Sequence, residues 1–269
     1  SGYTSVSDNE IVWADLARDV VMVQGDDSAQ FLHSQLANDI ASLAVGSSIY
    51  SLLLEPTGDI CVILRVVRHG DTVFTLDVEA GYGQTILTRL QRFVLRAKVV
   101  MSASDWVVRA FRGANANDSL GVVAGRAEVY WGSNDAIDVV ADLSQLPLLG
   151  ENADVELIDY LRVDARWPKL GVDVLVGDIP ATSGILDVAV SFTKGCYPGQ
   201  ELVERMSSRG ASAPVEVRVM SREGLGVGAR IEKDGVTVGT VTSVGPTLAL
   251  ARVARGSEVG EPLSATRNS

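Results

Sequence analysis

The segment richest in potential chemistry is Lys194-Gly195-Cys196-Tyr197-Pro198-Gly199-Gln200-Glu201. Pro198 suits the first position of a helix, and Leu202, Val203 and Met206 would give that helix an apolar face. Cys196 would then sit just before a helix N-terminus, two residues after a lysine. The helix dipole and the cation both favour thiolate, so Cys196 and Lys194 form a candidate reactive pair. Gly195 and Gly199 would let a ligand approach the backbone closely. A tight turn around an inert, buried cysteine fits the same residues equally well.

A second segment is Leu161-Arg162-Val163-Asp164-Ala165-Arg166-Trp167-Pro168. With Leu161 and Ala165 turned inward, Arg162 and Arg166 share another helix face at i, i+4 spacing. The Asp164 carboxylate could accept two parallel hydrogen bonds from a flat N–H edge such as that of a pterin. The arginines could meet a ligand's carboxylates. Read alone, the segment is first of all a solvated helix end with a surface ion pair. Other candidates carry less. Gly224-Leu225-Gly226-Val227-Gly228 opens no helix, so it is not read as a dinucleotide site. His33 lies beside an apolar helix face and reads as structural.

Composition bounds these options. The chain has 269 residues, 46% of them apolar and 21% charged, so it is a folded globular protein with a real core. Acids exceed bases by 34 − 23 = 11. That sign repels phosphate backbones and anionic lipid, so neither broad nucleic-acid binding nor a membrane surface is expected. Two cysteines and two histidines exclude a zinc ribbon or a four-cysteine iron–sulfur site from this chain alone, and no metal site is expected. No signal-like N-terminus is visible, and free cysteines suit a reducing compartment, so a cytoplasmic location is expected.

The elements that must position these residues are read from hydrophobic period. Strands are expected at 19–24, 49–54, 60–67, 72–76, 98–102, 106–112, 121–123, 128–131 and 137–141. The apolar run from Ile60 to Val67 is interrupted by Arg65. One helix follows Gly25-Asp26-Asp27, with Ala29, Leu32, Leu36 and Ile40 on one face. A second carries Tyr82, Ile86, Leu90, Phe93 and Val94. A third carries Val155, Ile158, Leu161 and Ala165, with Asn152 as its cap and Trp167-Pro168 as its stop. Residues 113–118 read as a loop. After 210 only strands remain (215–220, an Asp234-Gly235 hairpin, 248–253 and 262–265), which suggests a small barrel.

Lys194 to Glu201 resembles the Lys-Gly-Cys-Tyr-x-Gly-Gln-Glu motif of the YgfZ family of folate-binding proteins, relatives of the glycine-cleavage aminomethyltransferase. Gly25-Asp26 through Phe31-Leu32 to Asn38-Asp39 resembles that family's first helix and its Asn-Asp ending. Tyr50 to Leu54 with Pro56 and Gly58 resembles its first hairpin, and Leu161 to Asp164 resembles its pterin-holding segment. The resemblance implies an α+β fold of two intertwined α/β-sandwich-like domains with antiparallel sheets, plus a small C-terminal β-barrel. The units would be 1–46 with 140–210, an inserted 47–139, and 211–269. It implies tetrahydrofolate or a derivative, held by Asp164, Arg162, Tyr50, Gln200 and Glu201, with Cys196 and Lys194 at the pocket mouth. It also implies a role in assembling or repairing iron–sulfur clusters in client proteins, including tRNA-modifying enzymes. The aminomethyltransferases carry an Asp-Asp pair after the hairpin glycine, one member of which is catalytic. Cys61 and Val62 stand at the matching positions here, and neither can act as a carboxylate. Aminomethyl transfer is therefore not expected. A one-carbon transferase or demethylase using another carboxylate, and a non-catalytic scaffold, remain the alternatives.

Overall fold

A computed structural model describes residues 10–129, 134–208 and 213–263. Three five-stranded sheets dominate it. The central sheet runs, edge to edge, Ser48–Leu54, Ile60–Gly70, Val73–Glu79, Arg18–Gln24 and Val100–Ser104. All its pairings are antiparallel. Strands Ser48–Leu54 and Ile60–Gly70 are almost wholly buried, because helices and neighbouring segments cover both faces. Their long apolar runs are the sequence signature of that burial. Opposite Leu53 and Leu54 the pairing skips a residue: Val62 faces Leu53 and Ile60 faces Leu54, which leaves Cys61 as a β-bulge.

The outer sheet orders Glu151–Asn152, Ile11–Asp15, Val107–Gly113, Ala136–Ala141 and Arg126–Ala127. Strand pairing therefore runs across the unit boundaries expected from sequence. Arg18–Gln24 joins the sheet of residues 48–79, and Val107–Gly113 joins Ile11–Asp15. The third sheet contains Arg230–Lys233, Val236–Val244, Leu248–Ala254, Val215–Ser221 and Glu261–Pro262. Its hairpin turns at Asp234 and Gly235, both at positive φ, as an Asp-Gly turn requires. The strand order is open, with no pairing recorded between its two edge strands among the described residues.

Several local expectations need correction. The first helix is only Ser28–Gln35, and Leu36 is already extended, so Ile40 is buried from a following loop. Residues 116–120 form a short helix where a loop was expected. Residues 121–123 are not a strand, and Val122 is fully exposed. The expected strands at 128–131 and 262–265 lie partly outside the described residues. The helix Val155–Asp164 is capped by Asp154, whose side chain accepts from the Glu156 N–H, while Asn152 belongs to a strand. Pro198 and Gly199 form a turn, and the helix after them starts at Gln200. No helix among the described residues is long and apolar enough to cross a membrane.

Candidate functional site

A cavity of about 620 Å³ opens where the three sheets meet, within the range of small-molecule sites. Its walls come from strands Arg18–Gln24, Ser48–Leu54 and Ile60–Gly70, from helix Val155–Asp164, from residues 167–172 and from Val244. Two faces do different work. One is aromatic: the rings of Tyr50 and Trp167 lie 4.5 Å apart, tilted by 46°, and Tyr82 and Tyr160 also line the space. Burial pushes the Tyr50 phenol up, so it stays neutral.

The other face is a chain of alternating buried charges. Arg18 Nε donates to Asp77 at 2.6 Å and its Nη1 to Glu79 at 3.0 Å. Arg65 donates to Asp77 at 3.0 and 3.1 Å and to Asp138 at 2.7 Å. Arg112 donates to the other Asp138 oxygen at 2.8 Å. Burial works against the charge on Arg65, but Asp77 and Asp138 outweigh it and hold its pKa well above the ordinary value. Burial likewise opposes ionisation of Asp138, and Arg112 and Arg65 reverse that, keeping the carboxylate charged. Because Arg65 belongs to the central sheet and Asp138 to the outer one, the ion pair also ties the sheets together.

Arg162 and Tyr50 line this cavity; Asp164, Gln200 and Glu201 do not. The inward face of the helix is turned from the expected one. Arg162 is buried and Arg166 exposed, while Leu161 is only partly covered. Arg162 reaches Asp159 at 3.0 Å, Asp173 at 2.9 Å and the Trp167 carbonyl at 2.6 Å. Asp164 points to the third sheet. It accepts from the Thr247 N–H and hydroxyl at 3.0 and 2.8 Å and from the Leu248 N–H at 2.9 Å. In this structure that carboxylate fastens a turn.

No residue of Lys194–Glu201 lines the cavity either. The Lys194 ammonium turns back onto the end of the first helix, donating to the carbonyls of His33, Leu36 and Asn38. Burial pushes it down to about 8, so near neutrality it is still mostly protonated and its three N–H groups match three acceptors. It serves as a C-terminal cap. Gly199 has φ +84°, and a Cβ there would fall 2.7 Å from the Glu55 carbonyl and 2.8 Å from Leu54 Cβ. The motif thus packs on the hairpin tip, and its glycine is needed for that contact. Cys196 is exposed, whereas Cys61 is buried and its thiol is pushed up to about 11 by burial and by Glu55. His33 is structural as expected, accepting from the N–H groups of Ile40 and Ala41. Among the described residues no three His, Cys, Asp or Glu side chains gather as a metal site.

Sequence reading missed Arg65, Asp77, Asp138 and Trp167. A signal existed for three of them: charged residues at 65, 77 and 138 interrupt apolar strands, where an unpaired charge would be prohibitive.

Comparison with known proteins agrees with this architecture. Residues 17–141 match the model of the GCVT N-terminal domain. The chain is 27% identical to an uncharacterized protein of Haemophilus influenzae over 83% of this chain and 80% of that one. It is 25% identical to the tRNA-modifying protein YgfZ of Vibrio vulnificus, covering 71% of this chain and 64% of that protein. For the YgfZ of Edwardsiella ictaluri the values are 27%, 71% and 65%. The chain thus spans just under two thirds of these YgfZ proteins. The glycine cleavage system aminomethyltransferase T of Bartonella henselae superposes with a TM-score of 0.72 at 20% identity, covering 91% of this chain and 79% of that one. This chain is therefore related in sequence to the YgfZ proteins and shares the fold of the glycine-cleavage aminomethyltransferase.

Proposed function

We propose that the cavity binds a tetrahydrofolate species and that the protein assists tRNA modification, acting on iron–sulfur client proteins. The observation that carries the folate reading is a cavity wall whose aromatic face, with Tyr50 and Trp167 tilted by 46°, adjoins a face of carboxylate oxygens. A reduced pterin presents a flat face and several N–H groups, and this wall supplies partners for both. Tyr50 and Trp167 would hold the ring, while Asp159 and Glu79 would accept from its N–H groups. Arg162 would hold Asp159 in place. Folate, when bound, supplies carriage of a one-carbon unit. The chain's own residues bind and orient it and exclude water from its ring.

The tRNA role follows from the names of the YgfZ relatives, and the iron–sulfur clients from the family resemblance. An acidic chain of net charge −11 fits an indirect route to tRNA, through protein clients. Cys196 is the exposed thiol on the surface that could take part. The positions matching the transferase acids, Cys61 and Val62, are both buried in the hairpin and bring no carboxylate to the cavity. The finer architecture we infer treats 211–269 as a C-terminal unit with an apolar cluster of Ile231, Val241, Ala249, Ala251 and Val253, joined to the main core through Val217, Val219 and Leu250 and curling toward a small barrel.

The test is a fluorescence titration with tetrahydrofolate. Trp167 should respond directly, so binding should change the emission of the native protein and much less that of Trp167→Phe. A saturable calorimetric signal should accompany it. Absence of both would remove the folate reading. For the cellular role, nucleosides made by iron–sulfur enzymes should fall in tRNA from cells lacking the protein. Unchanged nucleosides would leave the scaffold alternative.

A further inference from the structure

Cationic side chains on a cavity wall ordinarily suggest an anionic ligand. Five line this one: Arg18, Arg65, Arg112, Arg162 and Lys169. Their charges are already met inside the protein. Asp77 and Glu79 take Arg18, Asp77 and Asp138 take Arg65, and Asp138 takes Arg112. Asp159 and Asp173 take Arg162, and Asp159 also takes Lys169 at 3.3 Å. Five cations thus meet five carboxylates, of which Glu79, Asp138 and Asp159 line the wall together with Glu156.

Apart from the Lys169–Asp159 pair at the mouth, these pairs cannot readily be exchanged for a ligand's carboxylate. The side chains of Asp77 and Asp173 are 0% exposed, and those of Arg65 and Arg112 are 1% and 3% exposed. Freeing one partner would strand a buried charge. The ligand is left with aromatic faces and acceptor oxygens, which select a flat group rich in N–H donors.

Resting on the folate reading above, we infer that the cavity recognises only the heterocyclic end of its ligand, and that the anionic glutamyl tail adds no affinity. The cavity should equally refuse polyphosphates. Asp159 is the residue that sets this property at the mouth. Its side chain is 46% exposed, and it alone neutralises Lys169 while sharing Arg162. Asp159→Asn would leave Lys169 at the opening without its carboxylate, while Arg162 keeps Asp173.

Calorimetry on the full chain tests this with four probes: 6-methyltetrahydropterin, tetrahydrofolate, its triglutamate and tripolyphosphate. The three pterins should bind within about threefold of one another, equally at low and high salt, and tripolyphosphate should not bind. In Asp159→Asn the triglutamate should gain about fivefold or more over the methylpterin, and salt should abolish the gain. A tenfold preference for triglutamate in the native protein would overturn the inference. So would tetrahydrofolate binding without methylpterin binding, or tripolyphosphate binding; both leave the folate reading intact. A variant with no tail preference would also overturn it. If no pterin binds, the folate reading itself fails.

Discussion

The cavity and the Lys194–Glu201 segment use charge in opposite ways. In the cavity, arginines and carboxylates neutralise one another in buried pairs. At the segment, one ammonium is spent on three backbone carbonyls, and the thiol beside it is left open to solvent. The first region builds a recognition surface from residues scattered between Leu16 and Val244. The second builds a rigid mount from eight consecutive ones. A contiguous motif therefore marks where backbone geometry is demanding, and a binding surface need leave no contiguous trace.

Substitutions can break this comparison, beginning with the largest effect. Asp138→Ala removes the carboxylate shared by Arg65 and Arg112 and leaves two buried guanidiniums short of a partner. It should cost about 3–5 kcal/mol in urea unfolding, the range for stranding one half of a buried pair. A loss below 1 kcal/mol would mean that water replaces the carboxylate and that the wall is not closed. On the mount, Gly199→Ala should cost about 1–3 kcal/mol, because the residue must keep φ +84° and its Cβ meets the Glu55 carbonyl. A neutral result would show that the turn can move away from the hairpin.

Asp164→Ala sharpens the comparison differently. It should lower stability by about 1–3 kcal/mol through the orphaned Thr247 and Leu248 N–H groups. Pterin affinity should stay within about threefold, measured by the same calorimetry. A large loss of affinity with unchanged stability would return Asp164 to the ligand. The two thiols give a further contrast. Cys196 should label with iodoacetamide in the native protein, and Cys61 only after denaturation, read by peptide mass. Native labelling of Cys61 would mean that the hairpin tip opens.

The smallest effect is a pH slope from His69, which burial pushes down to about 4 despite the opposing pull of Asp77. Its Nε2 lies 2.8 Å from the Thr75 hydroxyl, and its ring meets Trp106 edge to face. The unfolded chain binds a proton at this residue below about pH 6.5, while the folded chain does not until about 4. Stability should therefore fall as pH drops from about 6.5 to about 4, and His69→Gln should flatten that slope in parallel unfolding curves. Identical slopes would mean that the ring is already accessible.

Much of the central sheet was legible. Apolar runs and turn residues located Ser48–Leu54, Ile60–Gly70 and Arg18–Gln24 closely, since each is a short apolar run with a clear stop. The strand ends and the first helix were less so: Leu36 and Ile40 keep helical spacing although the helix stops at Gln35, because both are buried from an extended segment. The site was harder. Arg162 falls on another face when Leu161 and Ala165 are read as inward, yet Asp173, eleven residues on, draws it in. Asp164 looked like a ligand group because its true partner, Thr247, lies 83 residues away. Periodicity reports local geometry, and these partners are tertiary.

The bulge at Cys61 fixes a parity. Side chains in a strand alternate faces, so each residue inserted or lost reverses every one beyond it. The turn at Glu55-Pro56-Thr57-Gly58 sets the count on one side of the bulge, and the pairing of Arg65 with Tyr50 sets it on the other. With position 61 in the chain, a ladder without the bulge could satisfy only one of them. With the extra residue present, the turn closes and Arg65 still faces Asp77 and Asp138. Deleting position 61 would leave Ile60 opposite Leu54 and Val62 opposite Leu53 in regular register, so the turn and the place of Arg65 opposite Tyr50 would both survive and only the local kink of the bulge would be lost.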